Sequence, residues 1–413
     1  MKRNQNILLG ILLGLIWPFS TTAAEEEGTA DLASAITSGK ATVSGRYRYE
    51  NVDEDNALKD ANASTLRLRL NYRTSQWNGW SAFAEFDHVF HVLVDDFNSG
   101  GGTSPNRSEY SIVADPEGSD LNQIYFDLDP NDNWKYRFGR QRILLDNQRF
   151  VGGVGWRQNE QTYDALTLNT KAISNTALSY SYVNNVRRIF GQSVSGGKAR
   201  LDGHLFNAKI NVSDSFAVTP YLYYLDYASA LANSTATAGV RLGGNVNVGD
   251  GKIVLLTEFA TQSDAGDNPV SYDADYFHLT AAWAMENGLS LGIAFESLGS
   301  DSSAGTAFRT PLATLHIFNG WADVFVPAGT PVAGLEDLYA TVAFKAGQWN
   351  LTGVYHDFSA ASGSGDYGSE FDFSAARSLG ERYGVLFKGA FFSSDSTSYV
   401  DKNIIWIMLT TSY

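Results

Sequence analysis

Four arginines fall within eighteen residues of the stretch Phe138–Leu166: Arg140, Arg142, Arg149 and Arg157. A guanidinium is planar and offers forked donors that match a carboxylate edge, so such a cluster is chemistry for binding or passing anions. The stretch also holds an apolar knot, Ile143–Leu145, and the glycines Gly152, Gly153 and Gly155. It is too basic for a lipid-facing strand and too apolar for a solvated loop. A loop folded into the mouth of a barrel satisfies both halves, with the knot packed on a dry wall and the glycines permitting close backbone approach.

More arginines lie upstream; eleven of the nineteen fall between Arg46 and Arg157. Leu66, Leu68, Leu70 and Tyr72 share one face of an alternating segment, and Arg67, Arg69, Asn71 and Arg73 share the other. Val43, Gly45, Tyr47 and Tyr49 oppose Ser44, Arg46, Arg48 and Glu50 in the same way. Period two over eight residues is a strand signal. An arginine turned toward lipid costs about 2–4 kcal/mol at mid-bilayer, so in a membrane barrel these side chains point inward.

Two readings of the wall arginines stay open. They form a basic ladder along a pore, or they pair with inward acids such as Glu50, Glu85 and Asp87 and stiffen the wall. The same choice faces Arg140, Arg142, Arg149 and Arg157, which either make a constriction or tether their loop to Asp146, Glu160 or Asp164. Arg137 and Asp87 join the candidate pore-lining set. Arg241, Arg377 and Lys388 would complete a basic ring from the far side. Trp321-Ala322-Asp323 either caps the mouth and meets sugar rings or packs on the rim.

Other chemistries find no support. His88 and His91 are three apart and fall on opposite faces of a strand, a poor geometry for one metal. Asp87-His88 and His356-Asp357 are adjacent and point apart; His204, His278 and His316 stand singly. No ligand set or catalytic triad can be assembled, so neither enzyme activity, a cofactor nor a metal centre is expected. The acidic clusters Asp53–Asp55, Asp95-Asp96, Asp115–Asp120 and Asp264–Asp275 lack the spacing of a calcium loop. A net charge of −15 argues against nucleic acid. With no cysteine, hydrogen bonds and packing must hold the fold.

The elements that position these residues read as an all-β fold, a transmembrane antiparallel β-barrel. Lys2 and Arg3, the apolar Ile7–Ile16 and the small residues ending at Ala24 form a secretory signal over 1–24, too short to span a membrane. A leader covers 25–40 and the barrel 41–413. After the two arginine-bearing strands, candidate strands lie near 80–90, 121–129, 134–140, 163–170, 176–183, 203–212, 216–227, 236–248, 251–261, 274–284, 288–297, 336–345, 349–357, 369–377, 383–392 and 403–413, about eighteen in all. Connections alternate between short ones, such as 130–133 and 249–250, and long ones near 52–62, 91–120, 141–162, 184–202 and 298–335. Short periplasmic turns and long extracellular loops give that phase. The loop 141–162 is expected to fold inward. The apolar, tyrosine-ended last strand suits recognition by a barrel-assembly machinery and would aggregate if left as an open edge.

Two stretches also carry a family resemblance. One is Gly139-Arg140-Gln141 with Asp146-Asn147-Gln148-Arg149 and Trp156. The other is Leu315–Phe344, above all Phe318–Asp323 and Gly334–Tyr339, with a weaker echo at Phe371–Phe392. They resemble the alginate-export family of eighteen-stranded outer-membrane porins. The resemblance implies an arginine-rich constriction passing an anionic oligo- or polysaccharide, in a bacterial outer membrane with its lipid as neighbour. The chain is shorter than the prototype exporters, which makes oligosaccharide uptake as fitting as polymer export. A general or hydrocarbon channel would need an apolar lining, which the basic inward faces do not offer.

Overall fold

The computed structural model describes residues 31–327 and 329–413. The expected signal segment 1–24 and the start of the leader lie outside the described residues. Asp31 caps the short helix α1 (Leu32–Thr37) by accepting from the Ser34 amide. The helix rests on the first short turn, where the Ser75 amide donates to the Ala35 carbonyl at 3.0 Å.

The strands follow in chain order as β1 (Lys40–Glu54), β2 (Ala61–Arg73), β3 (Trp80–Asp96), β4 (Gly118–Asn131), β5 (Trp134–Gln141), β6 (Thr162–Thr170) and β7 (Thr176–Arg187). Next are β8 (Lys198–Asn211), β9 (Phe216–Tyr227), β10 (Thr235–Val248), β11 (Gly251–Asp264), β12 (Asp273–Met285) and β13 (Ser290–Leu298). A small hairpin of β14 (Ser300–Asp301) and β15 (Thr306–Ala307) stands apart from the main sheet. The chain ends with β16 (Leu335–Ala346), β17 (Trp349–Ser359), β18 (Asp366–Leu379), β19 (Tyr383–Ser394) and β20 (Lys402–Ser412).

Eighteen of these strands form one antiparallel sheet, each beside its chain neighbour, and β1 closes on β20 with Glu50 opposite Trp406. Closure removes the apolar edge that the last strand would otherwise expose. Among the described residues no helix is long and apolar enough to cross a membrane; the crossing elements are strands. Alternation sets their faces. Leu68 and Leu70 are exposed on the outside, and Arg67 and Arg69 beside them are buried inside.

The long connections 97–117, 142–161, 188–197 and 299–334 all leave one end of the barrel. The connection expected over 52–62 is shorter, 55–60, because β1 and β2 stay paired up to Val52 opposite Ala61. Residues 91–96 are likewise strand rather than loop, carried past a left-handed residue at Leu93.

Candidate functional site

The loop 142–161 lies inside the barrel, held on its N-terminal wall by arginines. Arg46 donates from Nε to Gln158 Oε1 at 3.0 Å and from Nη1 to the Gly155 carbonyl at 2.9 Å, and also to the Arg157 carbonyl. Arg48 donates to the Trp156 carbonyl and pairs with Asp115 and, at 3.5 Å, Glu50. Arg67 reaches the Gln158 carbonyl at 3.3 Å and Glu160 at 3.5 Å. Arg69 forks onto Asp87 at 2.7 and 2.6 Å and meets Glu160 at 3.1 Å.

From the loop, Arg142 returns to Glu85 at 2.5 Å and to Glu160. Arg157 joins Glu50 and Asp323, each at 3.1 Å. Burial opposes the charge on Glu160, but Arg142, Arg69 and Arg67 outweigh it and hold the carboxyl below its ordinary range. Burial would likewise lower Arg157, yet Glu50 and Asp323 hold it above its ordinary value. The four wall arginines are thus roofed by the loop and only 1–8% exposed.

A second loop, 299–334, completes the partition. Val151 bridges Leu312, and the Gly152 amide donates to the Leu312 carbonyl at 2.9 Å. Any Cβ at Gly152 would fall 2.2 Å from Thr314 Oγ1, so glycine is required for the two loops to meet. Arg149 crosses to β13, where Nε pairs with Glu296 at 2.8 Å, and its Nη2 donates to Asn319 of the second loop at 2.8 Å. Phe150 packs on Tyr221, Tyr223, Tyr276 and Phe308. Ile143 is buried, but Leu144 of the expected apolar knot is exposed.

On β18, Glu370 and Asp372 accept from the Ala322 and Trp321 amides at 2.8 and 3.2 Å. The two loops therefore form a septum from β1–β3 across to β12, β13 and β18–β20.

Both loops meet β19 and β20 around one lysine. Lys388 Nζ lies 3.7, 4.4 and 5.3 Å from the ring centres of Trp321, Trp156 and Trp406. Its polar neighbour is His316, with Nζ and Nε2 2.6 Å apart. The other ring nitrogen of His316 is 3.0 Å from Asp323, and the ring stacks on Trp156 at 4.4 Å. Burial lowers the pKa of His316 to about 4. Trp321 and Ala322 are buried here and Asp323 is 12% exposed, so the segment packs inside the barrel rather than capping the mouth.

The remaining expected lining residues divide. Arg241 faces inward across the barrel and pairs with Glu258 at 3.1 Å. It borders a cavity of about 460 Å³ with Lys209, His278, Glu296, Asp337 and His356. Arg137 faces inward near the short-turn end, forked onto Asp127 at 2.7 and 3.0 Å and stacked over Tyr125. Arg73 and Lys135 share that carboxylate.

Arg140 and Arg377 correct the expectation, because both face outward. Arg140 lies opposite Ile124 and Asp164, on the face of the exposed Phe138. It pairs with Asp164 at 2.9 Å. Arg377 shares its face with the exposed Phe371 and Phe373 and lies over Trp349. Strand alternation decides both.

Asp115, Gln158, Glu296, His316 and Asp323 are anchors that sequence reasoning missed as members of the site. Asp115 reads as one more acid in a turn-rich cluster, and nothing local marks it as buried. Among the described residues no cluster of three or more potential metal ligands occurs.

A family model described as "Alginate export" matches residues 41–292, well over half of the chain. No curated protein matches the chain in sequence. The fold is similar to that of OccAB4 of Acinetobacter baumannii at 12% identity, with a TM-score of 0.74 over 94% of this chain and 99% of that one. OccK8 (OprE) of Pseudomonas aeruginosa is similar at 16% identity, with a TM-score of 0.70 over 92% and 99%. OpdK of the same organism, crystallised with vanillate, is similar at 11% identity, with a TM-score of 0.71 over 92% and 99%.

Proposed function

Because the chain belongs to the alginate export family and is an outer-membrane channel rather than an enzyme, we propose that it passes small anionic carbohydrate, alginate oligosaccharides foremost, by passive diffusion. Two loops folded into the barrel favour short chains over a long polymer. The observation that carries the reading is a pair of arginines, one just past the end of β7 and one in the loop 299–334. Arg188 donates to the Pro311 carbonyl at 3.3 Å and Arg309 to Thr306 at 3.1 Å. Among the described residues neither has a carboxylate partner within 4 Å, unlike the loop arginines, which are neutralised by acids. Both are half-buried, and Arg188 also bonds Tyr227; without a carboxylate to neutralise them, these two cations are the ones we assign to replacing the hydration of an arriving carboxylate, as charged rings do in selective pores. On the inner side, the cavity sets Lys209 and Arg241 among Asp146, Asp214, Glu296 and Asp337, and Arg241 is paired with Glu258, so the reading rests on Arg188 and Arg309.

Planar bilayer conductance tests this. Anion-selective current is expected, blocked by uronate oligomers. Block should weaken roughly tenfold in Arg188→Gln/Arg309→Gln, as loss of a good charge-assisted contact implies. Cation selectivity, or block indifferent to those changes, overturns the proposal. OpdK was crystallised with a small aromatic carboxylate, so vanillate belongs in the blocker panel as the competing solute class.

A further inference from the structure

The outward surface of the barrel carries a set of cations that conduction does not use. Cross-strand partners share a face, so the register identifies it. Ile124, Arg140, Asp164, Asn185 and Arg200 lie side by side across β4 to β8. Thr162, Arg187 and Lys198 follow in the parallel row. The face is the outer one: Tyr163, Val186 and Ala199 in the row between are buried, while Phe126, Phe138 and Leu166 on the same face are exposed.

The patch is organised by one carboxylate. Asp164 takes Arg140 Nε at 2.9 Å on one oxygen, and Asn185 at 2.8 Å and Arg187 Nε at 3.4 Å on the other. Arg140 Nη1 donates to the Leu121 carbonyl at 2.7 Å. Nη1 of Arg187 is buried without an acceptor. Lys198 and Arg200 are exposed and, among the described residues, have no carboxylate within ion-pair distance. The next outward acid, Asp202, is 3.5 Å from His204. Four cations thus gather around Asp164 on a chain whose net charge is −15.

Charges facing lipid are costly in the hydrocarbon and cheap only near the interface. These stand where β5 to β8 give way to the long loops, at headgroup level, directly above an apolar band. Arg140 and Arg187 are only 13% and 14% exposed behind Asp164, while Lys198 and Arg200 stand open beside them, so the open pair meets phosphate oxygens first and the inner pair adds its field; anionic headgroups attract such basic residues. We propose that this row docks the phosphorylated headgroup of an outer-leaflet glycolipid, its acyl chains lying along Phe126, Phe138 and Leu166. The proposal rests on the outer-membrane reading of the barrel and is independent of what the channel conducts.

The test uses the full chain in detergent, with bis-phosphorylated lipid A and its dephosphorylated form as probes and native mass spectrometry counting bound lipid. The wild-type protein should retain the phosphorylated form about tenfold better. Arg140→Gln/Arg187→Gln/Lys198→Gln/Arg200→Gln should abolish that preference, with heat-modifiable migration showing the barrel intact. Equal retention of the two lipids by the wild-type protein overturns the proposal without need of any variant. So does displacement by equimolar inorganic phosphate, which would assign the site to the free ion. A variant that keeps its lipid preference but changes oligomeric state assigns the face to a second copy and overturns it too.

Discussion

Lys388 shows how much a single side chain depends on its surroundings. A lysine in mid-strand could have lined a pore, yet three indole rings and His316 enclose it. Aromatic faces stabilise a cation that lacks a carboxylate. His316 must carry its proton on Nδ1, toward Asp323, and accept from Lys388 at Nε2; this tautomer follows from the hydrogen-bond network. Around the pair stand Asp323 and Arg157 from the loops, Glu50 and Arg48 from β1, and Glu370 and Asp372 from β18. Because the folded pKa of His316 is about 4, against 6.5 for the free side chain, the unfolded or released state binds more protons between those values. Loop anchorage is therefore fully present above about pH 6.5 and weakens as pH falls toward 4. Tryptophan fluorescence should report this loosening, and His316→Gln should flatten the response. A wild-type signal unchanged over that window would refute the prediction. Arg149→Gln belongs to the same scale. It leaves Glu296 buried without its cation and should destabilise by roughly 3–5 kcal/mol, read as a lower unfolding midpoint in urea. A midpoint shift no larger than that of a surface arginine would count against this.

At the scale of elements, the septum depends on two loops touching where no side chain fits. Gly152→Val places its Cβ against Thr314 and Gln148 and should part the loops, raising single-channel conductance several-fold with the barrel still folded. Gly155→Ala has open space around its Cβ and serves as the control. Equal conductance in the two variants would show that the loop contact does not limit the path. The strands were legible in the sequence because burial on alternate residues leaves a mark that any eight residues display. The loop's basic and apolar character was legible as well, through Arg142, Arg149, Arg157 and Ile143. Its partners were not: Asp115, Glu296 and Asp323 are carboxylates far away in the chain, and a buried anchor carries the same letter as a solvated acid.

For the whole molecule, a chain of net charge −15 is proposed to favour anions because charges act locally. Acids on the outer loops lie in high dielectric, and the cations at the septum act at close range. The screening length falls from about 10 Å at 0.1 M salt to about 3 Å at 1 M. Anion preference should therefore decline as salt rises, in reversal-potential measurements, while uronate block by direct contact declines less. A preference independent of salt would point to size selection instead.

The sequence by itself determined the architecture. Period-two patterning, about eighteen segments, alternating connection lengths and an apolar last strand admit few folds other than a closed membrane barrel. All of these are local or countable properties. It also placed Arg46, Arg48, Arg67 and Arg69 on the inner face, since lipid excludes them. Only the tertiary structure decided what those arginines do. Arg140 and Arg377 turned outward because a strand's phase at its end cannot be read without its neighbours. Arg48 and Arg67 became anchors for a folded-in loop because the acids they meet, Asp115 and Glu160, arrive from 67 and 93 residues away. An ion pair requires both partners in space: Glu50 and Asp87 stand near enough in the chain to Arg48 and Arg69 to be named from it, whereas Asp115 and Glu160 do not.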